Sequence, residues 1–253
     1  MKSKFLLIVI TVLFFNLTSA QSNKVDILKT NNGSLKIQPI THGSLILTYN
    51  NKTIYVDPYG GGELYKNLES PDLVLITDIH GDHLDQKTLD SIDTSKAIFI
   101  VPKAVADKLP VQYNSKITVL DNGQGVHRLD LFIKAIPMYN LPEERGSKHP
   151  KGRGNGYILT IDGKQIYISG DTEDIAEMRA LQNIDIAFIC MNLPYTMDIN
   201  QAASAVLEFQ PKVVYPYHYR GSEGFSDIHQ FKNLVNAKNP FIDVRLRDWY
   251  TTN

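Results

Sequence analysis

The sequence predicts one mixed α/β (α+β) domain in which two β-sheets pack face to face with helices outside. Three observations lead there. After residue 20, period-two apolar segments alternate with short helical ones. Strands dominate the start of this stretch, strands and helices mix in its middle, and a second strand-rich half closes it. No internal repeat and no linker rich in Pro, Gly or Ser divides residues 21–253, so they are read as a single domain.

Each element has a local reason. Residues 35–40, 44–49 and 53–57 read as early strands, with Asn50-Asn51 as a hairpin turn. Residues 73–77 form a continuous apolar run that stops at polar residues, the pattern of a buried strand. A short helix near Asp85 carries Leu89 and Ile92 on one face, and a second is expected over 103–108. Strands follow at 98–101, 117–120 and 129–136. Residues 138–155 are polar, rich in Gly and Pro and without periodicity; a loop of that length in a compact domain is usually functional. Beyond it the pattern gives strands at 156–161, 165–169, 184–191, 213–216 and 243–246, and helices around 175–181, 200–209 and 228–236.

Composition narrows the function. The chain is 43% hydrophobic and 21% charged with a formal net charge of −1, so disorder is excluded. Lys and Arg are scattered, with no basic stripe of the kind a nucleic-acid backbone requires. Lys2 and Lys4, the apolar run 5–15 and the small residues Thr18, Ser19 and Ala20 read as a secretory leader cleaved after Ala20. The run is roughly half the ~20 residues a spanning helix needs, so no stable membrane anchor is expected after cleavage. No Cys follows it, which argues against a lipoprotein. The expected location is exported, periplasmic or secreted. Cys190 is the sole cysteine and lies in an apolar run, so it is read as a small buried thiol. A structural Cys-rich zinc site is excluded, and any metal must sit on His and carboxylates.

The chemistry concentrates after strands. Asp78-Ile79-His80-Gly81-Asp82-His83 places four potential ligands in six residues, directly after a buried strand and before a helix. A tight loop there can aim His80 at one cation and Asp82 with His83 at another. Imidazole with carboxylate suits Zn²⁺ foremost, with Mn²⁺ or Fe²⁺ as alternatives. Asp171 follows Gly170 at one strand end, His218 closes another, and His149 lies in the long loop. An Asp after a Gly turn is commonly a helix cap and a loop His commonly solvated; recurrence at strand ends raises these three. His127 and His229 match no motif and are read as structural or solvated.

Together the 78–83 loop, Gly170-Asp171-Thr172 and His218 resemble the metallo-β-lactamase superfamily, whose first motif reads H-x-H-x-D-H. Thr41-His42-Gly43-Ser44, Val56-Asp57-Pro58, Gly154-Asn155-Gly156-Tyr157, Thr196-Met197-Asp198 and Pro211-Lys212 before Pro216-Tyr217-His218 are similar to one branch. That branch contains L-ascorbate-6-phosphate lactonase and, more distantly, N-acylphosphatidylethanolamine phospholipase D. The resemblance covers residues from about 37 to about 220 and implies a four-layer αββα sandwich of the metallo-β-lactamase fold. It implies that Asp78, His80 and His149 hold a first metal, that Asp82, His83 and His218 hold a second, and that Asp171 bridges them. Asp57 would stand behind the ligands and fix a ligand His through its free ring nitrogen. Asp78 departs from the family's first His, and a carboxylate there shifts preference towards harder ions.

The expected function is a metal-dependent hydrolase with one or two divalent metal ions per chain. Metal-bound hydroxide would attack a small ester, lactone, amide or phosphodiester, with Asp82 and Asp171 as the catalytic carboxylates. His42, Tyr139, Asn140, Tyr195 and Arg220 flank the motifs as candidate substrate contacts. Arg220, two residues past a predicted ligand, would suit a carboxylate or phosphate. The alternative is a non-catalytic metal- or ligand-binding protein on the same fold, kept open by Asp78. The partner is a small-molecule substrate; the sequence leaves the oligomeric state open. The leader reading makes one prediction: intact-mass analysis of exported protein should show Gln21 as the first residue, and residues 1–20 still attached would overturn it.

Overall fold

The first sheet is built by strict alternation. In the computed structural model, which describes residues 25–144 and 146–250, β1 (Asp26–Lys29), β2 (Ser34–Thr41), β3 (Ser44–Tyr49) and β4 (Lys52–Val56) form an antiparallel meander. The expected leader, residues 1–20, lies outside the described residues. β5 (Leu73–Leu75), β6 (Ile98–Val101) and β7 (Ile117–Val119) then extend the sheet in parallel. Asn50 and Asn51 turn β3 into β4 with φ of 48° and 59°, a left-handed conformation that Asn tolerates. Successive side chains leave on opposite faces. Leu45, Leu47, Ile54, Val56, Leu73 and Leu75 join one core cluster, whereas Ile46, Tyr55 and Val74 join another. Helices α1 (Gln86–Ser91) and α2 (Lys103–Ala106) close the second cluster with Leu89 and Val105. Asp85 caps α1 by accepting from the backbone N–H of Lys87 and Thr88.

The second sheet repeats that order. β8 (Gly125–Arg128), β9 (Leu131–Met138), β10 (Gly154–Ile161) and β11 (Lys164–Ile168) run antiparallel, and β12 (Ile186–Cys190) and β13 (Val213–Tyr217) continue in parallel. A small hairpin of β14 (Arg220–Gly221) and β15 (Gly224–Phe225) follows, and β16 (Asp243–Val244) pairs parallel to β13 at the edge. Between these strands lie α3 (Ala176–Arg179), α4 (Ile199–Phe209) and α5 (Ile228–Lys238). The inner faces of the sheets meet in the larger cluster, where Ile37, Leu47 and Ile54 join Ile133, Tyr157 and Leu159. On the far side of the second sheet, α4 contributes Ala202, Ala205, Val206 and Phe209, and α5 contributes Phe231 and Val235. The layers run helix, sheet, sheet, helix, the αββα sandwich that the sequence predicts. No helix among the described residues is long and apolar enough to cross a membrane.

The structure corrects one strand and adds others. The expected strand over 129–136 is cut by Leu129 and Asp130, whose φ of 52° and 64° make them the turn between β8 and β9. Leu129 packs against the core from that turn, so its apolar character mimicked a strand. β8 went unseen because Val126 is its one apolar residue, and β1 and the β14–β15 hairpin are too short to show a period. The Thr196-Met197-Asp198 segment acts locally: Asp198 caps α4 in a reciprocal capping box with Gln201, and the Thr196 hydroxyl donates to Asn192.

Close approach of backbones explains Gly156 in β10. A Cβ there would meet the carbonyl oxygens of Ser169 and Ile168 at 2.7 and 2.9 Å. Gly156→Ala is therefore expected to cost about 1–3 kcal/mol, read as a lower urea midpoint; an unchanged midpoint would show that the two strands can part without cost.

Candidate metal centre

Chain geometry delivers the donors to one rim. β4, β5, β11 and β13 run into Asp57, the 78–83 loop, Asp171 and His218 at their carboxyl ends, the edge where open sheets gather ligands. The loop is tight: His83 and Leu84 donate their backbone N–H to the His80 carbonyl at 3.0 and 2.8 Å. Left-handed turns aim the rest, with φ of 54° at His42, 43° at Asp57, 61° at Gly170 and 46° at His218. Gly170 also has no room for a side chain, since a Cβ would meet Met138 Sδ at 2.6 Å.

The tightest convergence joins Asp82, His83, Asp171 and His218. His218 Nε2 lies 3.2 Å from His83 Nε2, 3.3 Å from Asp171 Oδ1 and 3.4 Å from Asp82 Oδ2. His83 Nε2 lies 3.3 Å from Asp171 Oδ2 and 4.0 Å from Asp82 Oδ2. Donors around a tetrahedral Zn²⁺ at about 2.0–2.2 Å stand roughly 3.3–3.6 Å apart, so His83, Asp171 and His218 are spaced for a single cation, with Asp82 approaching it beside His218. Asp171 Oδ1 is buried and makes no hydrogen bond among the described residues. Electrostatics point the same way. Burial pushes the Asp171 carboxyl up, yet His218 and His83 outweigh it and hold it well below the carboxylate range. Burial pushes His83 down, yet Asp171 and Asp57 hold it well above the usual imidazole value. The site is a concentration of negative field that favours positive charge.

Asp57 sets the orientation of His83. It is fully buried; Thr77 donates its N–H to Oδ1 at 2.7 Å and its hydroxyl to Oδ2 at 2.6 Å. His83 Nδ1 stands 2.8 Å from the same Oδ2, a contact that leaves Nε2 as the ring nitrogen a cation would take. The Ser44 hydroxyl donates to the Asp57 carbonyl and completes the brace. Asp82 is held similarly on the open side. His42 Nε2 reaches its Oδ2 at 3.0 Å, and His42 Nδ1 meets the Tyr250 hydroxyl at 2.8 Å. Burial drives His42 down to about 4 despite Asp82, so it is neutral, donates through Nε2 and accepts from Tyr250.

Asp78, His80 and His149 form a second group with donor atoms within 4.8 Å of one another. His149 Nε2 lies 3.3 Å from Asp171 Oδ2 and 3.9 Å from Asp78 Oδ2, and makes no hydrogen bond among the described residues. His80 Nδ1 is 2.8 Å from Asp78 Oδ2. Asp78 is also gripped by Arg153, whose Nε and Nη2 donate to Oδ1 and Oδ2 at 3.0 and 2.9 Å. This group can supply ligands, with its one carboxylate already paired.

A cavity of about 280 Å³ opens onto both groups, lined by His80, Asp82, Lys148, His149, Asp171, Asn192 and Tyr195. Of the five candidate substrate contacts, Tyr195 lines it. Asn140 instead ties the long loop: it accepts from His149 N at 2.8 Å and donates to the Tyr195 carbonyl at 2.8 Å. Tyr139 is buried with its hydroxyl on Glu177 and Lys151 over its ring, and Arg220 lies over the Tyr250 ring at 4.8 Å. His42 braces Asp82 as described. Sequence reasoning passed over Lys148, Asn192, Tyr250 and Arg153. Lys148 precedes a candidate ligand and Asn192 follows a buried strand, signals that were available; Arg153 and Tyr250 carry none.

The chain belongs to the β-lactamase superfamily: the family model described as beta-lactamase superfamily domain matches residues 36–218. Within it the relatives are metal-dependent hydrolases on the metallo-β-lactamase fold. The UPF0173 metal-dependent hydrolase of Staphylococcus carnosus is 30% identical over 213 residues, 77% of this chain and 91% of its own. A crystal structure from Parabacteroides distasonis, described as a metal-dependent hydrolase, is 43% identical with a TM-score of 0.80 and covers 90% of this chain and 99% of its own. A metallo hydrolase from Ignicoccus hospitalis is 26% identical with a TM-score of 0.72, covering 87% of this chain and 97% of its own.

Since Asp57 acts on His83 alone among the donors, Asp57→Asn is expected to weaken metal retention about 10–100-fold. Chelator competition would measure it, with circular dichroism confirming the fold; undiminished retention would detach Asp57 from the centre.

Proposed function

We propose that the chain is an exported hydrolase that opens a small ester, lactone, amide or phosphodiester at the rim of the two sheets. The observation that carries this is the close approach of Asp82, His83, Asp171 and His218, with Asp82 and Asp171 on the wall of an open cavity. A divalent cation held by these donors, Zn²⁺ foremost, supplies Lewis acidity and a hydroxide-strength nucleophile near neutral pH.

The chain's own groups do the rest. Burial pushes the Asp82 carboxyl up, but His218 and His42 hold it well below the carboxylate range, so it is ionised. On the cavity wall it takes the proton of the attacking water and returns it to the leaving group. Neutral His42, fixed by Tyr250, keeps Asp82 turned to the cavity. Asp171, buried between the histidines, sets the separation of His83, His149 and His218. Lys148 and Tyr195 line the cavity and suit a substrate with a polar or anionic group beside the scissile bond. The motif resemblance to the lactonase branch supports keeping lactones among the candidates. The scattered basic residues argue against nucleic acid, and the reading of residues 1–20 as a leader supports a substrate outside the cytoplasm.

A second reading, metal or ligand binding without turnover, has one observation in its favour: Arg153 pairs with Asp78. Both readings face one experiment. His83→Ala and His218→Ala should each lose bound metal and at least roughly a hundredfold of activity on a panel of lactones, esters and phosphodiesters. An active metal-free variant would sink the hydrolytic mechanism; wild-type protein that holds metal and turns over nothing on the panel would favour binding alone.

A further inference from the structure

Arg153 reaches the centre by construction. Pro150, Lys151 and Gly152 form a turn in which Gly152 has φ 84° and Arg153 N donates to the Pro150 carbonyl at 3.2 Å. The chain then enters β10 against the end of the Thr77 strand: Asn155 N donates to the Thr77 carbonyl at 2.9 Å, and a Cβ on Gly154 would stand 2.8 Å from that same oxygen. This approach sets residue 153 opposite residue 78. The result is the paired contact of Arg153 Nε and Nη2 with both oxygens of the fully buried Asp78, and Nη2 lies a further 3.4 Å from His80 Nε2. A planar guanidinium on a carboxylate is a strong, directional pair.

We propose that Arg153 is a built-in cation that competes with metal for Asp78, so that the chain holds one metal tightly and a second weakly. The tight ion sits among Asp82, His83, Asp171 and His218, and the weak one among Asp78, His80 and His149. This rests on the metal-centre reading above. The reason is charge. Asp78 is the one carboxylate that belongs solely to the second group, and its negative charge is spent on Arg153. An incoming dication must share both carboxylate oxygens with a guanidinium, and the two positive charges repel across a few ångströms of buried space. Asp171 faces imidazoles instead, which can exchange a proton for a metal where a guanidinium cannot. His149 Nε2, buried without a hydrogen bond among the described residues, keeps the weak position competent.

The test is Zn²⁺ stoichiometry and affinity on full-length mature protein, by elemental mass spectrometry after gel filtration and by calorimetric titration. Wild type should retain about one Zn²⁺ per chain and bind a second roughly tenfold or more weaker. Arg153→Met, which keeps the stem and removes the charge, should narrow that gap and raise retention towards two. Asp78→Asn, the gentler variant should Arg153→Met misfold, should keep the tight Zn²⁺ and lose the weak one. Two equally tight ions in wild type, an Arg153→Met titration identical to wild type, or loss of the tight ion in Asp78→Asn would each overturn the proposal. Wild type that binds no Zn²⁺ at all would instead overturn the metal centre itself.

Discussion

A carboxylate with no access to water organises the site. Asp57 accepts from Thr77 twice and from His83 once, and its own carbonyl takes the Ser44 hydroxyl. Leaving any of these oxygens unpaired in the interior would cost about 1–3 kcal/mol or more for a charged group. The end of β4, the end of β5 and the 78–83 loop are thereby fixed together, because Thr77 and His83 flank that loop. With His83 Nδ1 committed, Nε2 is committed to the cavity. The loop's remaining donors are held close by backbone geometry, since His83 and Leu84 both turn back onto the His80 carbonyl.

The outer donors are braced by neutral groups and the inner ones by charge. His42, brought down to about 4 by burial, orients Asp82 without cancelling it. Asp171 has no such neutral brace and is surrounded by imidazoles from both halves of the fold. Gly43 allows this crowding, because a Cβ there would press on His218 Cδ2 at 3.3 Å and His83 Cε1 at 3.6 Å. The small residue between His42 and Ser44 thus serves the centre as much as the turn it occupies.

The sequence made the layers legible because both faces of β3, β4 and β5 are buried and their residues alternate between two clusters. It made the donors legible because they follow strands in short, polar, turn-prone segments. The rest was carried by contacts that leave no trace in one dimension. β8 has one apolar residue, and Leu129 is an apolar residue in a turn. Arg153 sits opposite Asp78 through the register of β10 with Thr77, 75 residues apart in sequence. Tyr250 meets His42 across 208 residues. Asn140 is a candidate substrate contact because it flanks the metal motifs, and its amide also closes the long loop onto His149 and Tyr195.

No repeat is visible in the sequence, yet the two sheets share one plan: four strands in an antiparallel meander, then parallel strands to the other edge. That plan has a chemical consequence. Parallel strands present their carboxyl ends on one side, so each half offers donors at a single rim, Asp82 and His83 from the first and Asp171 and His218 from the second. Neither half alone supplies all four of these donors. Where the halves meet, His218 and Asp171 come within 3.2–3.4 Å of the first half's His83 and Asp82. Packing of the inner faces and assembly of the centre are therefore one event, in which the shared core sets the distance between donors and the donors' charge favours a cation joining the two sheets.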